Sequence, residues 1–116
     1  MANIREVLSK NMREYRYNLS ITQAELAEKA NVSINFIAMI ELMHKFPSPD
    51  VLDRIATALC VETHTLFAVP TSNEEAMRKL QQVIKYDLDK SIENAIDAAI
   101  DKKLNKILDI LPNKKS

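Results

Sequence analysis

The chain has 116 residues, 47% of them apolar, with 16 basic and 16 acidic side chains, so its formal net charge is zero. This length allows one small domain and an appendage, and no apolar run approaches the roughly 18 residues of a membrane span. A general polyanion binder would be clearly basic, yet residues 1–70 carry 7 basic against 8 acidic side chains and residues 71–116 carry 9 against 8. Any affinity for nucleic acid would therefore depend on local placement of charge.

Few residues are suited to catalysis or metal binding. Cys60 is the single cysteine and lies in an apolar helical pattern, which favours a thiol buried in the core. His44 and His64 have no partner at metal-ligand spacing, and a chain without glycine has no phosphate-cradling loop. We therefore expect no enzyme activity, no metal and no cofactor. Residues 1–6 lack the apolar core of a secretion signal, so a cytoplasmic protein without a membrane partner is expected.

A first amphipathic helix is predicted over residues 4–19. Its apolar positions recur every three or four residues, at Ile4, Val7, Leu8, Met12, Tyr15 and Leu19. The polar face of this helix is basic and includes Lys10, Arg13 and Arg16.

Residues 22–41 read as two short helices joined by a tight turn. Thr22 with Glu25 three residues later forms a capping-box pattern, which satisfies free N–H groups at a helix start. Asn31 tolerates the left-handed backbone that ends a helix, and Ser33 is suited to cap the next one.

The second helix of this pair has an inner and an outer face. Ile37 and Ile40 lie three residues apart and are expected to face the core. The outer face, which a partner would contact, then consists of Ile34, Asn35, Ala38 and Met39.

Two further helices complete the predicted unit. The proline-containing segment after Glu41 is a loop that ends at Ser48 as N-cap, with Pro49 in the first helical position. A fourth helix follows, and Thr63 is expected to cap a short fifth helix before the unit closes at residues 69–70. The fold class is therefore all-α, with a five-helix domain over residues 1–70 and a helical tail over residues 71–116.

The tail is predicted to be one long helix or two helices in series. Ser72 and Glu75 form another capping-box pattern, and no proline interrupts the chain until Pro112. An apolar residue recurs every fourth position, a stripe that drifts by roughly 40° per step on a straight helix and excludes a regular left-handed coiled coil. We expect a right-handed helical pair or a break near residues 87–91, and either requires a partner chain, most simply a second copy. The predicted dimerisation residues are Leu80, Ile84, Leu88, Ile92, Ile96, Ile100, Leu104 and Leu108.

Residues from about 16 to 67 resemble a known family. The residues that carry the resemblance are Gln23-Ala24-Glu25-Leu26-Ala27, Val32-Ser33, Ile37, Ile40, Glu41, Pro49, Leu52, Ile55, Ala56, Leu59, Val61, Leu66 and Phe67. Their order and spacing resemble those of the phage-repressor and Cro-like (XRE-like) helix-turn-helix transcription regulators. The resemblance implies a repressor-like domain whose recognition helix, Ser33 to Leu42, enters the major groove of double-stranded DNA. A dimer joined by the tail would bind an inverted repeat and regulate transcription, most simply as a repressor.

The resemblance also assigns roles to individual residues. It gives phosphate contacts to Gln23 and contacts to bases or backbone to Ser33, Ile34, Asn35, Ala38 and Met39. Lys45 and Arg13 are candidates for backbone contacts. Arg16 and Glu41 match an architectural ion pair, the alternative being that Arg16 is a free phosphate-binding arginine. The family's usual glycines are replaced by Asn31 and Met43, so we expect the recognition helix to run further or to end differently.

Two alternatives remain open at this stage. The domain could be a protein-interaction module of a regulator-binding or antitoxin-like protein, with Ile34, Met39, Leu42 and Met43 forming an apolar patch. The tail could be a surface for an effector or a regulatory protein partner that adjusts the spacing of two domains.

Overall fold

A computed structural model describes residues 3–69 and 71–110, with side chains through residue 109. Within these ranges the chain forms five α-helices and one 3-10 helix, in agreement with the predicted all-α class. Their bounds are α1 Ile4–Asn18, α2 Gln23–Ala30, α3 Ile34–Glu41, α4 Pro49–Ala58, the 3-10 helix Thr63–Phe67 and α5 Ser72–Ile110.

Side-chain caps fix the starts of the short helices. The Thr22 hydroxyl accepts from the Glu25 N–H at 3.0 Å, and the Glu25 carboxylate accepts from the Thr22 N–H at 3.0 Å. Ser33 begins α3 in the same manner, and Ser48 begins α4 with Pro49 in the first turn. All three predicted caps are therefore present, because each hydroxyl satisfies an N–H group that has no partner within its helix.

Helix ends use left-handed residues although the chain has no glycine. Ser20, Asn31, Met43 and Cys60 have φ values of 57°, 57°, 66° and 60°. The expectation that Met43 would avoid this conformation is wrong: α3 ends at Glu41, and Met43 adopts the left-handed backbone at a cost of about 1 kcal/mol. Cys60 is only partly buried at its turn, and so is not the fully buried core thiol that was expected.

Two predicted caps are wrong. The fifth helix is a 3-10 turn preceded by Glu62 without a side-chain cap, and the Thr63 hydroxyl instead donates to the Asp53 carboxylate at 2.7 Å. α5 begins one residue earlier than the Ser72–Glu75 box requires, because Thr71 accepts from the Glu74 N–H at 3.3 Å. Both errors come from choosing between adjacent residues that are each able to cap.

The helices enclose one core in a first compact unit that extends through Tyr86. α2 packs against α3 and α4, and α1 packs against α3 and the 3-10 helix. The largest fully buried apolar side chains are Leu8, Met12, Leu26, Ile37, Ile40, Ile55, Leu59 and Leu66. In the described part of the chain, no helix is long and apolar enough to cross a membrane.

The start of α5 belongs to this first unit. Gln82 is 1% exposed, and its amide nitrogen donates to the carbonyl oxygens of Tyr15 at 3.0 Å and Leu59 at 2.8 Å. Asn18 donates to the Gln82 amide oxygen at 2.8 Å, and Val83 packs against the core. The division at residue 70 stays a prediction, and residues 72–86 are packed on the helices that precede it.

The second unit comprises residues 87–116, of which the structure describes those through residue 110. α5 is helical without interruption across residues 87–91, so of the alternatives predicted for the tail the single long helix is observed and the break is excluded. The apolar side chains at every fourth position from Leu88 to Leu108 are 49–58% exposed. The predicted stop at Pro112 lies outside the described residues.

Candidate nucleic-acid interface

The C-terminal end of α3 is fixed to α1 by a buried ion pair. Arg16 Nε and Nη2 donate to the two carboxylate oxygens of Glu41, each at 2.9 Å, and both residues are 7% exposed. Arg16 Nη1 donates to the Ile21 carbonyl oxygen at 3.2 Å. The hydrogen bonds with Glu41 raise the pKa of Arg16, so the guanidinium remains charged. Arg16 is therefore the architectural residue of the resemblance and not a free arginine.

Gln23 joins the same carboxylate from the first turn of α2. Its amide nitrogen donates to Glu41 Oε1 at 3.0 Å, and the side chain is partly buried. Glu41 therefore connects α1, the N-terminus of α2 and the end of α3 through one carboxylate. Because an amide has a second N–H, Gln23 can hold Glu41 and still donate a hydrogen bond to a phosphate.

The outer face of α3 consists of the predicted residues. Ser33, Ile34 and Asn35 are exposed at the N-terminus of the helix, whereas Ala38 and Met39 are partly buried along it. The Ser33 hydroxyl accepts from the Phe36 N–H at 3.0 Å, so its own O–H remains able to donate to a partner. Ile37 and Ile40 on the opposite face are 0% and 1% exposed, as the sequence predicts.

The two predicted cationic residues have different surroundings. Lys45 follows α3, and its ammonium lies 6.0 Å from the centre of the Phe36 ring. Arg13 lies on α1, where its Nε donates to the Ser9 carbonyl oxygen at 3.3 Å. Arg13 also lines a cavity of about 390 Å³ with Lys10, Lys79 and other residues. Lys45 is thus next to the outer face of α3, and Arg13 belongs to a different surface.

Two buried polar residues that position the site were missed at the sequence level. The Ser9 hydroxyl donates to the Glu41 carbonyl oxygen, which ties the end of α3 to α1 a second time. The Asn11 amide nitrogen donates to the Leu66 and Ala68 carbonyl oxygens at 2.8 and 2.9 Å. The sequence indicates that Ser9 and Asn11 could be buried, since they lie next to the apolar positions Leu8 and Met12. A helical pattern does not, however, identify carbonyl partners more than 30 residues away.

The described residues contain no cluster of three or more His, Cys, Asp or Glu side chains arranged for a metal ion. The arrangement around α3 instead has the features of a recognition surface. A short helix presents an exposed N-terminal face, and its far end is fixed by buried charge-assisted hydrogen bonds.

Comparison with known proteins shows what this arrangement is similar to. A family model described as a helix-turn-helix matches residues 12–65. An immunity repressor protein of Bacillus phage phi105 is 28% identical over 95 residues, which cover 72% of this chain and 66% of the repressor. The chain therefore spans slightly less than two thirds of the length of that relative.

Solved structures that are similar to this chain also come from proteins named as transcription regulators. A hypothetical transcription factor, NHTF from Neisseria, is 26% identical with a TM-score of 0.58, over 64% of this chain and 85% of that one. The clp gene regulator ClgR from Corynebacterium glutamicum is 26% identical with a TM-score of 0.55, over 81% of this chain and 95% of that one. These relatives are named as regulators and not as enzymes, in agreement with the sequence prediction. Residues 12–65 of this chain therefore match the helix-turn-helix family model, and the chain is similar to proteins named as a repressor and as transcription regulators.

Proposed function

We propose that this protein is a dimeric, sequence-specific DNA-binding transcription regulator, most simply a repressor, whose helix α3 reads base edges in the major groove. The observation that carries the proposal is the exposure of Ser33, Ile34 and Asn35 at the N-terminus of a helix fixed from behind through Glu41. In helix-turn-helix proteins, the N-terminal residues of the second helix contact bases while the first helix crosses the backbone.

Asn35 is the principal candidate for base readout. An asparagine can bond to the N6 and N7 atoms of adenine, a contact that contributes about 1–3 kcal/mol to discrimination. Ile34, Ala38 and Met39 have no hydrogen-bonding side-chain groups, and so would contact thymine methyl groups. The preferred half-site should therefore be rich in A·T pairs.

Phosphate contacts are proposed for Gln23, Ser33 and Lys45, whereas Arg13 lies on a different surface. Gln23 would donate from the N-terminus of α2, where the helix dipole also favours an anion. Because few cations are near α3, the affinity should depend only weakly on salt, and specificity would depend on base contacts.

Dimerisation is proposed for the tail. The Leu and Ile side chains at every fourth position from Leu88 to Leu108 are about half exposed, and burying the exposed half of one contributes roughly 1 kcal/mol. Because the stripe drifts around the helix, two or three such side chains in each copy could meet at one crossing point and support association of two copies. Dimeric helix-turn-helix proteins bind half-sites separated by about one or more helical turns, so the operator is expected to be an inverted repeat.

Selection of bound duplexes from a random pool by the full chain, at a stated salt concentration, tests the proposal. Enrichment of an A·T-rich inverted repeat is expected, and failure to enrich any motif with folded protein would overturn sequence-specific binding. Sedimentation of the full chain tests the dimer separately. We expect a dimer that Ile100→Glu dissociates, whereas the neighbouring control Ala98→Glu does not.

A second function is favoured by one specific observation. Large apolar side chains at and after α3 are exposed: Ile34 by 53%, Leu42 by 59%, Met43 by 42% and Phe46 by 37%. Such a patch also suits a protein partner. Co-purification of a stoichiometric protein that is lost in a folded Met39→Glu variant, together with no enriched DNA motif, would support this function instead.

A further inference from the structure

The second unit of α5 is built on a four-residue repeat. From Leu88 to Asp109 the first position of each repeat is Leu or Ile, and the second is acidic in every repeat except one, where it is Asn105. We call the first positions the apolar row: Leu88, Ile92, Ile96, Ile100, Leu104 and Leu108. The acidic row is Asp89, Glu93, Asp97, Asp101, Asn105 and Asp109.

The other two positions of the repeat also differ in character. The position before each apolar residue is small in the middle of the repeat, at Ser91, Ala95 and Ala99, which we call the small row; the same position holds Asp87 before them and Lys103 and Ile107 after them. The lysine row contains Lys90, Asn94, Ala98, Lys102 and Lys106. Residues four apart form a ridge on an α-helix, and at 3.6 residues per turn the acidic, lysine and small rows lie about 100°, 200° and 300° around the axis from the apolar row. Each ridge drifts by roughly 40° per repeat, so the same two rows face a partner over about two or three repeats. The apolar row is therefore flanked by the acidic row on one side and the small row on the other.

This order of rows selects one of the two grooves beside the apolar row. A helix seated on the acidic side would bury carboxylates, which is costly unless each one gains a partner. A helix seated on the other side meets Ser91, Ala95 and Ala99, whose short side chains allow two helices to approach closely. The contact face is therefore the apolar row together with the small row.

A second copy of the chain fits this face. In a two-fold pair the large apolar row of one copy lies over the small row of the other, so one surface is complementary to itself. Ridges of residues four apart that pack into such grooves cross at about −50°. Near the crossing point, the acidic and lysine rows then lie on the two outer sides of each helix, where they remain solvated.

The outer rows determine the direction of the pair. With the helices parallel, the acidic row of one copy is on the same side as the lysine row of its partner. With the helices antiparallel, rows of the same sign share a side and repel one another. We propose that two α5 helices pair in parallel and cross at Ala95 and Ala99, an inference that rests on the proposed dimer.

Substitution of adjacent alanines tests the contact face. Ala99→Leu fills the groove and should weaken the dimer at least tenfold in sedimentation, whereas Ala98→Leu, in the lysine row, should change it less than twofold. Leucine and alanine are both good helix formers, so circular dichroism should show the same helicity in both variants. Equal effects of the two substitutions would overturn the contact face while leaving the dimer itself in place.

A distance measurement tests the direction. Spin labels on Asp109→Cys in a Cys60→Ser background should be about 20 Å apart or less in a parallel crossing pair, and more than about 30 Å apart in an antiparallel one. The longer distance would overturn the parallel arrangement. A full chain that is monomeric at every concentration would instead refute the proposed dimer, and the two failures are thus distinguishable.

Discussion

Gln82 donates a hydrogen bond to the carbonyl oxygen of Tyr15 at 3.0 Å, from an amide nitrogen that also donates to the Leu59 carbonyl oxygen at 2.8 Å. The Leu59 carbonyl follows the last residue of α4, where a helix leaves carbonyl oxygens without partners. The Tyr15 carbonyl lies in the last turn of α1 and also accepts from the Leu19 N–H at 3.2 Å, so Gln82 gives it a second hydrogen bond. One side chain from α5 therefore bonds to the ends of two preceding helices, and the beginning of α5 contributes to the stability of the first unit.

Replacing Gln82 by Leu should lower the free energy of unfolding by about 1–3 kcal/mol, because the Leu59 carbonyl oxygen loses its donor and the Tyr15 carbonyl oxygen loses one of two. Gln81→Leu is the matched control, since Gln81 is exposed on the same helix. Urea unfolding followed by circular dichroism measures the difference. Equal stabilities of the two variants would show that the Gln82 hydrogen bonds contribute nothing.

Met43→Gly should raise the free energy of unfolding by about 0.5–1 kcal/mol. Met43 has a φ of 66°, a conformation that glycine adopts without the steric cost of a Cβ atom. The neighbouring control Leu42→Gly, at a φ of −87°, should destabilise the protein because it adds only backbone freedom to the unfolded chain. A lower melting temperature for Met43→Gly would contradict this explanation.

Tyr15 should make stability sensitive to alkaline pH. Burial raises the pKa of its phenol above the ordinary value of 10.0, although Arg78 acts in the opposite direction. The folded protein therefore holds this proton more tightly than the unfolded chain. The associated stability is intact below about pH 10 and is lost as the pH rises through the raised pKa.

The decline in unfolding free energy between about pH 10 and 12 should thus be smaller in Tyr15→Phe than in the parent protein. Tyr17→Phe is the control, because the Tyr17 side chain is 62% exposed. If all three proteins lose stability at the same rate, Tyr15 is not the group responsible.

Much of the fold follows from local signals in the sequence. Thr22, Ser33 and Ser48 cap the predicted helices. A Ser or Thr directly before a run of helically spaced apolar residues is strongly preferred as the N-cap of that helix. The Arg16–Glu41 pair came from the resemblance, as periodicity cannot join residues 25 positions apart. Met43 was misjudged because tertiary packing can impose a left-handed residue that local preference opposes.

Other features depend on contacts that sequence patterns do not contain. Gln82 lies among residues of a helix predicted only as a tail, and nothing in its neighbours identifies Tyr15 and Leu59 as partners. The alternative of a break at residues 87–91 gives too much weight to Asp87, Asp89 and Ser91. Such residues are tolerated within a helix when their side chains face solvent, as these do.

Lys45 should contribute to DNA affinity through a phosphate. Lys45→Gln is expected to weaken binding of the selected duplex and to reduce the slope of log affinity against log salt by about 1. Lys106→Gln in the tail provides a control of equal charge change and should leave the slope unaltered. Identical slopes in both variants would show that Lys45 does not contact a phosphate.

The most direct test of the central claim compares the affinities of Asn35→Ala and Asn94→Ala for the selected duplex at one salt concentration. Asn35 is exposed at the start of α3 and Asn94 is exposed in the tail, so the two substitutions remove the same group from different surfaces. Asn35→Ala should lose about 1–3 kcal/mol of binding free energy and its preference for adenine at one half-site position, whereas Asn94→Ala should bind as the parent does. Equal affinity and unchanged sequence preference for both variants would contradict recognition of DNA by α3.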